Sequence, residues 1–140
     1  MTYLLDTCAL SELRKEIPVN VKNWFNDKNQ QLFYISVINI AEIRYGIERL
    51  PDSKKKNDLE NWFYSEVRAR FADNILTIDE PVAETWASLN ATSQKKGITV
   101  GTQDLYIAAC AKANGFILVT INTKDFQHLD IPLINPWSLL

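Results

Sequence analysis

Four acidic residues stand out in this chain because each accompanies a buried segment, where a charge needs compensation. Asp6 directly follows the apolar run at 3–5, and Asp125 lies shortly after a second such run. Glu42 lies within an apolar helical segment, and Asp104 lies near the start of another. Clustered carboxylates repel one another, and hard cations such as Mg²⁺ and Mn²⁺ remove that repulsion through oxygen ligands. The four acids therefore predict a site for one or two divalent cations, a chemistry suited to phosphoryl transfer.

Each acid also has an ordinary structural explanation when it is considered alone. Asp6 could cap the helix that follows it, because aspartate is common at such turns. Glu42 could form an ion pair with Arg44 or Arg49. Asp104 is favoured in the first turn of a helix by the helix dipole, by about 0.3–1 kcal/mol. The functional interpretation depends on all four acids lying at the same end of their strand–helix units.

The segment around Glu42 gives the strongest local signal. Its helix is mostly apolar, so we expect it to be largely buried, yet polar or small residues recur at spacings of three and four. These residues are Ser36, Asn39, Glu42 and Gly46. Residues at such spacings share one helix face, so they form a narrow polar seam in which a glutamate needs a partner.

Short apolar runs alternate with segments of helical periodicity along the whole chain. Strands are predicted at 2–6, 32–35, 75–78, 116–120 and 131–134. Helices are predicted from Ser11, from Pro18, over 36–50, over 54–72, from Asp79 to Gly97 and from Thr102 to Gly115. This order predicts a three-layer α/β fold, with a mostly parallel sheet of four or five strands covered by helices on both faces.

The chain has 140 residues without an internal repeat or linker, which predicts a single domain over 1–140. It contains no apolar run of about 18 residues and no export signal, so neither a membrane span nor secretion is expected. Cys8 and Cys110 are therefore expected to be reduced, in the cytoplasm. The net charge of −2 argues against bulk electrostatic binding of nucleic acid but not against a nuclease.

Other chemistries fit these residues less well. His128 is the sole histidine, so RNA cleavage by a histidine pair is excluded, and neither a nucleophile elbow nor a P-loop occurs. A phospho-receiver domain stays an alternative, because Thr120 and Lys124 resemble its switch residues. Such a domain needs a phosphoacceptor aspartate after a middle strand, where Asp79 instead has the sequence context of a helix cap.

Four segments, in this order, resemble the PIN-domain family and, within it, the VapC-type toxins of toxin–antitoxin modules. They are Leu4-Leu5-Asp6-Thr7-Cys8, Ile40-Ala41-Glu42-Ile43-Arg44-Tyr45-Gly46, Asp104-Leu105-Tyr106-Ile107-Ala108-Ala109 and Leu118-Val119-Thr120-Ile121-Asn122-Thr123-Lys124-Asp125-Phe126. The resemblance spans the whole chain and implies a PIN-like α/β/α sandwich. It also implies a metal-dependent ribonuclease whose action is blocked by a cognate antitoxin.

The same resemblance implies roles for particular residues. Asp6, Glu42 and Asp104 are the implied ligands of Mg²⁺ or Mn²⁺. Family members carry a fourth acid at one of two positions, which are Asn122 and Asp125 in this chain. Asp125 is therefore the expected fourth ligand, and Asn122 is expected to orient a water molecule or a phosphate. The expected reaction is hydrolysis of RNA by metal-activated water, leaving a 5′-phosphate.

Three neighbouring residues have implied supporting roles. Thr7 and Thr120 are candidate hydrogen-bond partners of the ligands, although ordinary turn bonding would also explain them. Cys8 occupies a position where many family members have asparagine, which weakens one expected hydrogen bond beside the site.

The resemblance implies two protein partners, a second copy of the chain and an antitoxin segment that crosses the active site. The groove that receives this segment is expected to be lined by Arg44, Tyr45 and Gly46. Trp62 and Phe63 could belong to the core or could anchor a partner. A PIN-like module that binds RNA or protein without cleaving it stays an alternative, because Asn122 stands where an acid could be.

Overall fold

Five short strands form one parallel sheet in the computed structural model, which describes residues 1–138. The strands are β1 (Tyr3–Leu5), β2 (Phe33–Ser36), β3 (Ile75–Leu76), β4 (Ile117–Val119) and β5 (Leu133–Ile134). Their order across the sheet is β3-β2-β1-β4-β5, and every neighbouring pair is parallel. The predicted α/β class is confirmed, although β3 and β5 are shorter than the sequence predicted.

Helices connect the strands and cover both faces of the sheet. They are α1 (Thr7–Glu12), α2 (Val19–Asn26), α3 (Val37–Glu48), α4 (Lys54–Trp62), α5 (Arg68–Arg70), α6 (Glu80–Lys95), α7 (Thr102–Asn114) and α8 (Thr123–Phe126). A π-helical turn, Phe63–Val67, joins α4 to α5. Within residues 1–138, no helix combines the length and the apolar character needed to cross a membrane.

The central strand β1 divides the core between the two faces of the sheet. Tyr3 and Leu5 pack into one apolar cluster, whereas Leu4 packs into the other, as the alternation of side chains along a strand requires. On the Leu4 side, Ala108 and Ala109 of α7 are fully buried. These small side chains let α7 approach the sheet closely, which holds the first turn of α7 at the sheet edge.

Two helix predictions were wrong in detail. Helix α1 begins at Thr7 rather than Ser11, because the Asp6 carboxylate caps it through the backbone N–H of Ala9. The continuous α-helix predicted over 54–72 is interrupted by the π turn at Phe63–Val67, and its last α-helical residue is Arg70.

The strand order places a topological switch point between β1 and β4. In open parallel sheets, ligands bind outside the carboxyl ends of the strands at such a point. Receiver domains have the order 2-1-3-4-5, which differs from the order found here. Asp79 also acts as the expected helix cap, since its Oδ1 accepts a 3.0 Å hydrogen bond from the backbone N–H of Val82. Both findings argue against the phospho-receiver alternative.

Candidate active site at the carboxyl edge of the sheet

Asp6 lies at the switch point and is held there by two hydrogen bonds. Its Oδ1 accepts from the backbone N–H of Ala9 at 2.7 Å, and its Oδ2 accepts from the Thr120 hydroxyl. Because Asp6 follows β1 and Thr120 follows β4, the second bond ties the two central strands together. Asp6 therefore caps α1, which was the structural explanation considered for this residue alone. It is also a fixed carboxylate at the carboxyl edge of the sheet, where the sequence predicted the cation site.

The environment of Asp6 disfavours its charged form. Burial raises the pKa of its carboxyl, which is only 3% exposed, and the hydrogen bonds from Thr120 and Ala9 partly oppose that rise. The carboxylates of Glu42 and Asp125 raise the pKa further. Ionisation of Asp6 therefore carries a free-energy cost in the folded protein, which a bound cation would offset.

A chain of hydrogen bonds orients Glu42. The Thr7 hydroxyl donates to Oε1 of Glu42 at 2.7 Å, and the Asn39 Nδ2 donates to the Thr7 oxygen at 3.0 Å. Asn39 is fully buried, and its Oδ1 accepts from the backbone N–H and the hydroxyl of Ser36, each at 2.7 Å. Since Thr7 accepts from Asn39, its single proton is directed to Glu42, and the carboxylate is fixed from a buried anchor.

The predicted polar seam of α3 is present, but the expectation of a largely buried helix was wrong. Within α3 only Asn39, Ile43 and Ile47 are buried. The remaining face reaches solvent, because only one side of the helix packs on the sheet. The alternative ion pair of Glu42 is not formed with Arg44, which pairs instead with Glu48.

Asp104 and Asp125 complete the cluster from α7 and α8. Burial raises the pKa of Asp104 to about 6, and the charges of Asp125, Glu42 and Asp6 contribute to the rise. Asp125 is exposed and lies in the first turn of α8. All four predicted acids are thus close enough to act on one another electrostatically.

Asn122 and Cys8 meet above this cluster. The Asn122 side chain donates its amide hydrogen to the Cys8 sulfur at 3.0 Å, and the Thr120 hydroxyl accepts from the Asn122 backbone N–H at 3.0 Å. Burial raises the pKa of the Cys8 thiol, and the nearby carboxylate of Asp6 adds to the rise. The Asn122 amide is thus engaged with Cys8, whereas the sequence suggested a water molecule or a phosphate.

The donor chemistry of the cluster fits a hard divalent cation, because four carboxylates offer oxygen ligands alone. Their arrangement is looser than a finished metal site. In the part of the chain that the structure describes, no group of three or more His, Cys, Asp or Glu side chains is disposed to hold an ion. A bound cation would therefore have to draw the carboxylates closer together. Among residues 1–138, neither Asp6 nor Glu42 forms an ion pair that would have to break first.

A groove of about 310 Å³ opens beside Glu42, between α3 and α4, and is called here the α3–α4 groove. Its lining comprises Thr7, Ser11, Arg14, Glu42, Ile43, Gly46, Ile47, Arg49, Leu50, Lys55, Leu59 and Trp62. Gly46 lies in this lining as expected. Arg44 instead contacts the rings of Phe63 and Tyr64, and Tyr45 is 71% exposed.

Trp62 and Phe63, which the sequence assigned either to the core or to a partner surface, differ in their surroundings. Phe63 is buried in the core, whereas Trp62 is half-buried and lines the α3–α4 groove. The groove therefore combines apolar side chains with three cations, Arg14, Arg49 and Lys55, that form no ion pair within residues 1–138. Such a surface is suited to a peptide segment that carries both apolar and acidic groups.

Comparison with known proteins places this geometry among related molecules. The family model described as the PIN domain matches residues 3–132. The chain is 36% identical over 135 residues to Toxin FitB of Neisseria gonorrhoeae, covering 96% of this chain and 97% of that protein. It is 34% identical over 136 residues to VapC ribonuclease Y4jK of Sinorhizobium fredii, covering 96% and 97%. The crystal structure of FitAcB from Neisseria gonorrhoeae superposes with a TM-score of 0.88 at 34% identity, covering 99% of this chain and 100% of that chain.

Proposed function

The chain belongs to the PIN-domain family, and on that premise we propose that it is the toxin of a toxin–antitoxin module and a metal-dependent endoribonuclease. The observation that carries the proposal is the convergence of four carboxylates at the switch point. Asp6, Glu42 and Asp125 all lie close enough to Asp104 to raise its pKa. The names of relatives at 36% and 34% identity, a toxin and a VapC ribonuclease, support the same function.

We assign the binding of Mg²⁺ or Mn²⁺ to Asp6, Glu42, Asp104 and Asp125. When bound, the ion supplies a water of lowered pKa and neutralises charge on the phosphodiester. The protein's contribution is to hold the carboxylates in place, Asp6 through Thr120 and Glu42 through Thr7. The protein operates in the cytoplasm, as a homodimer or together with its antitoxin.

The first experiment incubates the purified protein, freed of any partner, with total cellular RNA in Mg²⁺ or Mn²⁺. We expect discrete fragments with 5′-phosphates, which disappear in excess EDTA and reappear when the metal is restored. Asp125→Asn is expected to lose cleavage, whereas Asp73→Asn, which removes an exposed acid far from the cluster, is expected to retain it.

Undiminished cleavage in EDTA would refute the metal-dependent nuclease. Failure to cleave any RNA, together with metal binding detected by calorimetry, would instead favour a PIN-like module that binds without cleaving. Failure of both would refute the proposed cation site itself.

Thr7→Val tests the orientation of Glu42, because valine has nearly the shape of threonine but lacks the hydroxyl. The variant leaves Asn39 and Glu42 each without one hydrogen-bond partner. We expect the RNA cleavage rate to fall about 10–100-fold, the usual effect of losing a group that orients a metal ligand. Thr7→Ser keeps the hydroxyl, so its rate should stay within about threefold of the wild-type rate. Equal rates in Thr7→Val and Thr7→Ser would show that the hydroxyl serves packing or folding alone.

We place the inhibitory antitoxin segment in the α3–α4 groove. Its apolar floor includes Ile43, Ile47 and Trp62, and its rim carries Arg14 and Lys55. Because Glu42 also lines this groove, a bound segment would cover one of the four carboxylates. Binding there would therefore block both the cation and the RNA.

A further inference from the structure

A second groove reaches the carboxylates at Asp104 and Asp125 and shares no lining residue with the α3–α4 groove. It has a volume of about 280 Å³ and is lined by Asp104, Asp125, Lys124 and His128 together with the loop before α7. His128 also lines an adjoining pocket of about 250 Å³, which holds Lys96 and Lys112. The two cavities adjoin at that side chain, and together they are called here the lysine groove.

The cations of the lysine groove are uncommitted. No ion pair within 4.0 Å joins Lys96, Lys112 or Lys124 to another residue in the range 1–138. Other exposed lysines of the protein do form ion pairs, Lys15 with Glu12 and Lys54 with Asp58. The protein has a net charge of −2, yet beyond Asp104 and Asp125 the groove is lined by three lysines and a single acid, Asp130.

The N-terminus of α7 adds to this positive potential. The helix has 13 residues and begins after Gly101, which lines the groove, and no side chain caps it. Its first backbone N–H groups therefore lack partners within the helix and carry the positive end of the helix dipole. This feature supports the lysines without being a site by itself.

We propose that the lysine groove binds the sugar–phosphate backbone of the RNA strand on one side of the bond to be cut. This inference rests on the proposed ribonuclease function, because it names where that substrate lies. Spaced ammonium groups leading away from a cation site suit the regular phosphates of a single strand. The lining of the α3–α4 groove has five large apolar side chains, whereas the pocket of Lys96 and Lys112 has two, Leu89 and Leu129, which favours different ligands for the two grooves.

Asp130, an acid in the lysine groove, provides a second test, in which a substitution is expected to strengthen RNA binding and not to weaken it. Asp130 lines the pocket with Lys96 and Lys112, and its backbone has a left-handed conformation with φ of 50°. Asparagine tolerates this conformation as well as aspartate does. Asp130→Asn therefore removes a negative charge from the lysine groove without straining the backbone.

The experiment measures binding of a short fluorescent single-stranded RNA in EDTA over a range of salt concentrations. Lys96→Gln/Lys112→Gln is expected to weaken binding about tenfold and to reduce the slope of log affinity against log salt by about 1.4, the value for two lost phosphate contacts. Asp130→Asn is expected to strengthen binding. The matched controls, Lys95→Gln/Lys22→Gln and Glu84→Gln, change the same charges on exposed residues outside the groove and should alter binding less than twofold.

Equal effects of the groove and control variants would overturn the inference, since net charge alone would then explain binding. Tight binding of a polyglutamate peptide in place of RNA, with the same lysine dependence, would also overturn it and assign the groove to a protein. RNA cleavage by the same preparations in Mn²⁺ separates the two proposals. Cleavage with no lysine effect refutes only the groove, whereas lysine-dependent binding without cleavage refutes only the nuclease.

Discussion

Replacing Asp104 with asparagine is expected to abolish RNA cleavage and, in the same protein, to raise the thermal stability of the fold. Cleavage should fall at least about 100-fold, because the amide cannot replace a charged ligand of the cation. Stability should rise because the ionised Asp104 carboxylate is partly buried and faces three other acids, which raises its pKa to about 6. After allowance for its partial exposure, removing the charge stabilises the fold by about 1–2 kcal/mol at pH 7.

The pH dependence of this gain follows from the direction of the shift. The folded-state pKa of about 6 lies above the ordinary value of 3.8, so the folded protein binds a proton more readily than the unfolded chain. Wild-type stability from this group therefore falls as the pH rises from about 4 through 6. Thermal unfolding in EDTA should show a higher Tm for Asp104→Asn at pH 7.5, and the difference should shrink towards pH 4.5.

Glu80→Gln is the matched control for Asp104→Asn. Glu80 also lies in the first turn of a long helix, but it is exposed and outside the cluster. The substitution removes the same favourable interaction with a helix dipole and relieves no repulsion, so it should lower stability slightly. If both variants lost stability at pH 7.5, the helix dipole would outweigh the repulsion, and the acids would not form a strained cluster.

The location of the candidate site could be predicted from the sequence, because the end of a strand is recognised from a few consecutive residues. Asp6 and Asp125 follow apolar runs, and the carboxyl ends of parallel strands share one edge. The strand–helix alternation therefore predicted that the acids lie near one another, as their mutual electrostatic interactions indicate, without any knowledge of strand order. The polar seam on α3 was likewise visible, since its period of three to four residues is a property of the helix alone.

The contacts that fix the site were not accessible in the same way. Asn39 and Thr7 are 32 residues apart in the sequence, and their hydrogen bond depends on how α1 and α3 pack. The amide of Asn122 reaches Cys8 across 114 residues for the same reason. The π turn at 63–67 also escaped prediction, because it is decided by packing and not by propensity. Local patterns thus predict which residues reach the site but not what holds them there.

Asp6 is expected to separate catalysis from folding when two substitutions are compared with each other. Both Asp6→Asn and Asp6→Ala remove the carboxylate, so both should abolish RNA cleavage, and both eliminate the cost of ionising a buried group that raises the pKa of this carboxyl. They differ in hydrogen bonding. Asparagine can still accept from the Ala9 N–H and can donate its amide hydrogen to the Thr120 oxygen, in reverse of the native bond, whereas alanine can make neither contact.

The difference in unfolding free energy between the two variants therefore reports the lost hydrogen bonds together with the small void that alanine leaves at this buried position. We expect Asp6→Ala to be less stable than Asp6→Asn by about 2–4 kcal/mol, from a lost helix cap, a lost contact with the Thr120 hydroxyl and the void left by the truncated side chain. Urea unfolding of both proteins in EDTA tests this, with RNA cleavage assayed in parallel. Equal stabilities would mean that the bonds to Ala9 and Thr120 contribute nothing. Asp6 would then matter at the switch point for its charge and not for its hydrogen bonds. The loss of RNA cleavage in either variant could be ascribed to the lost charge, because the two proteins would be equally folded.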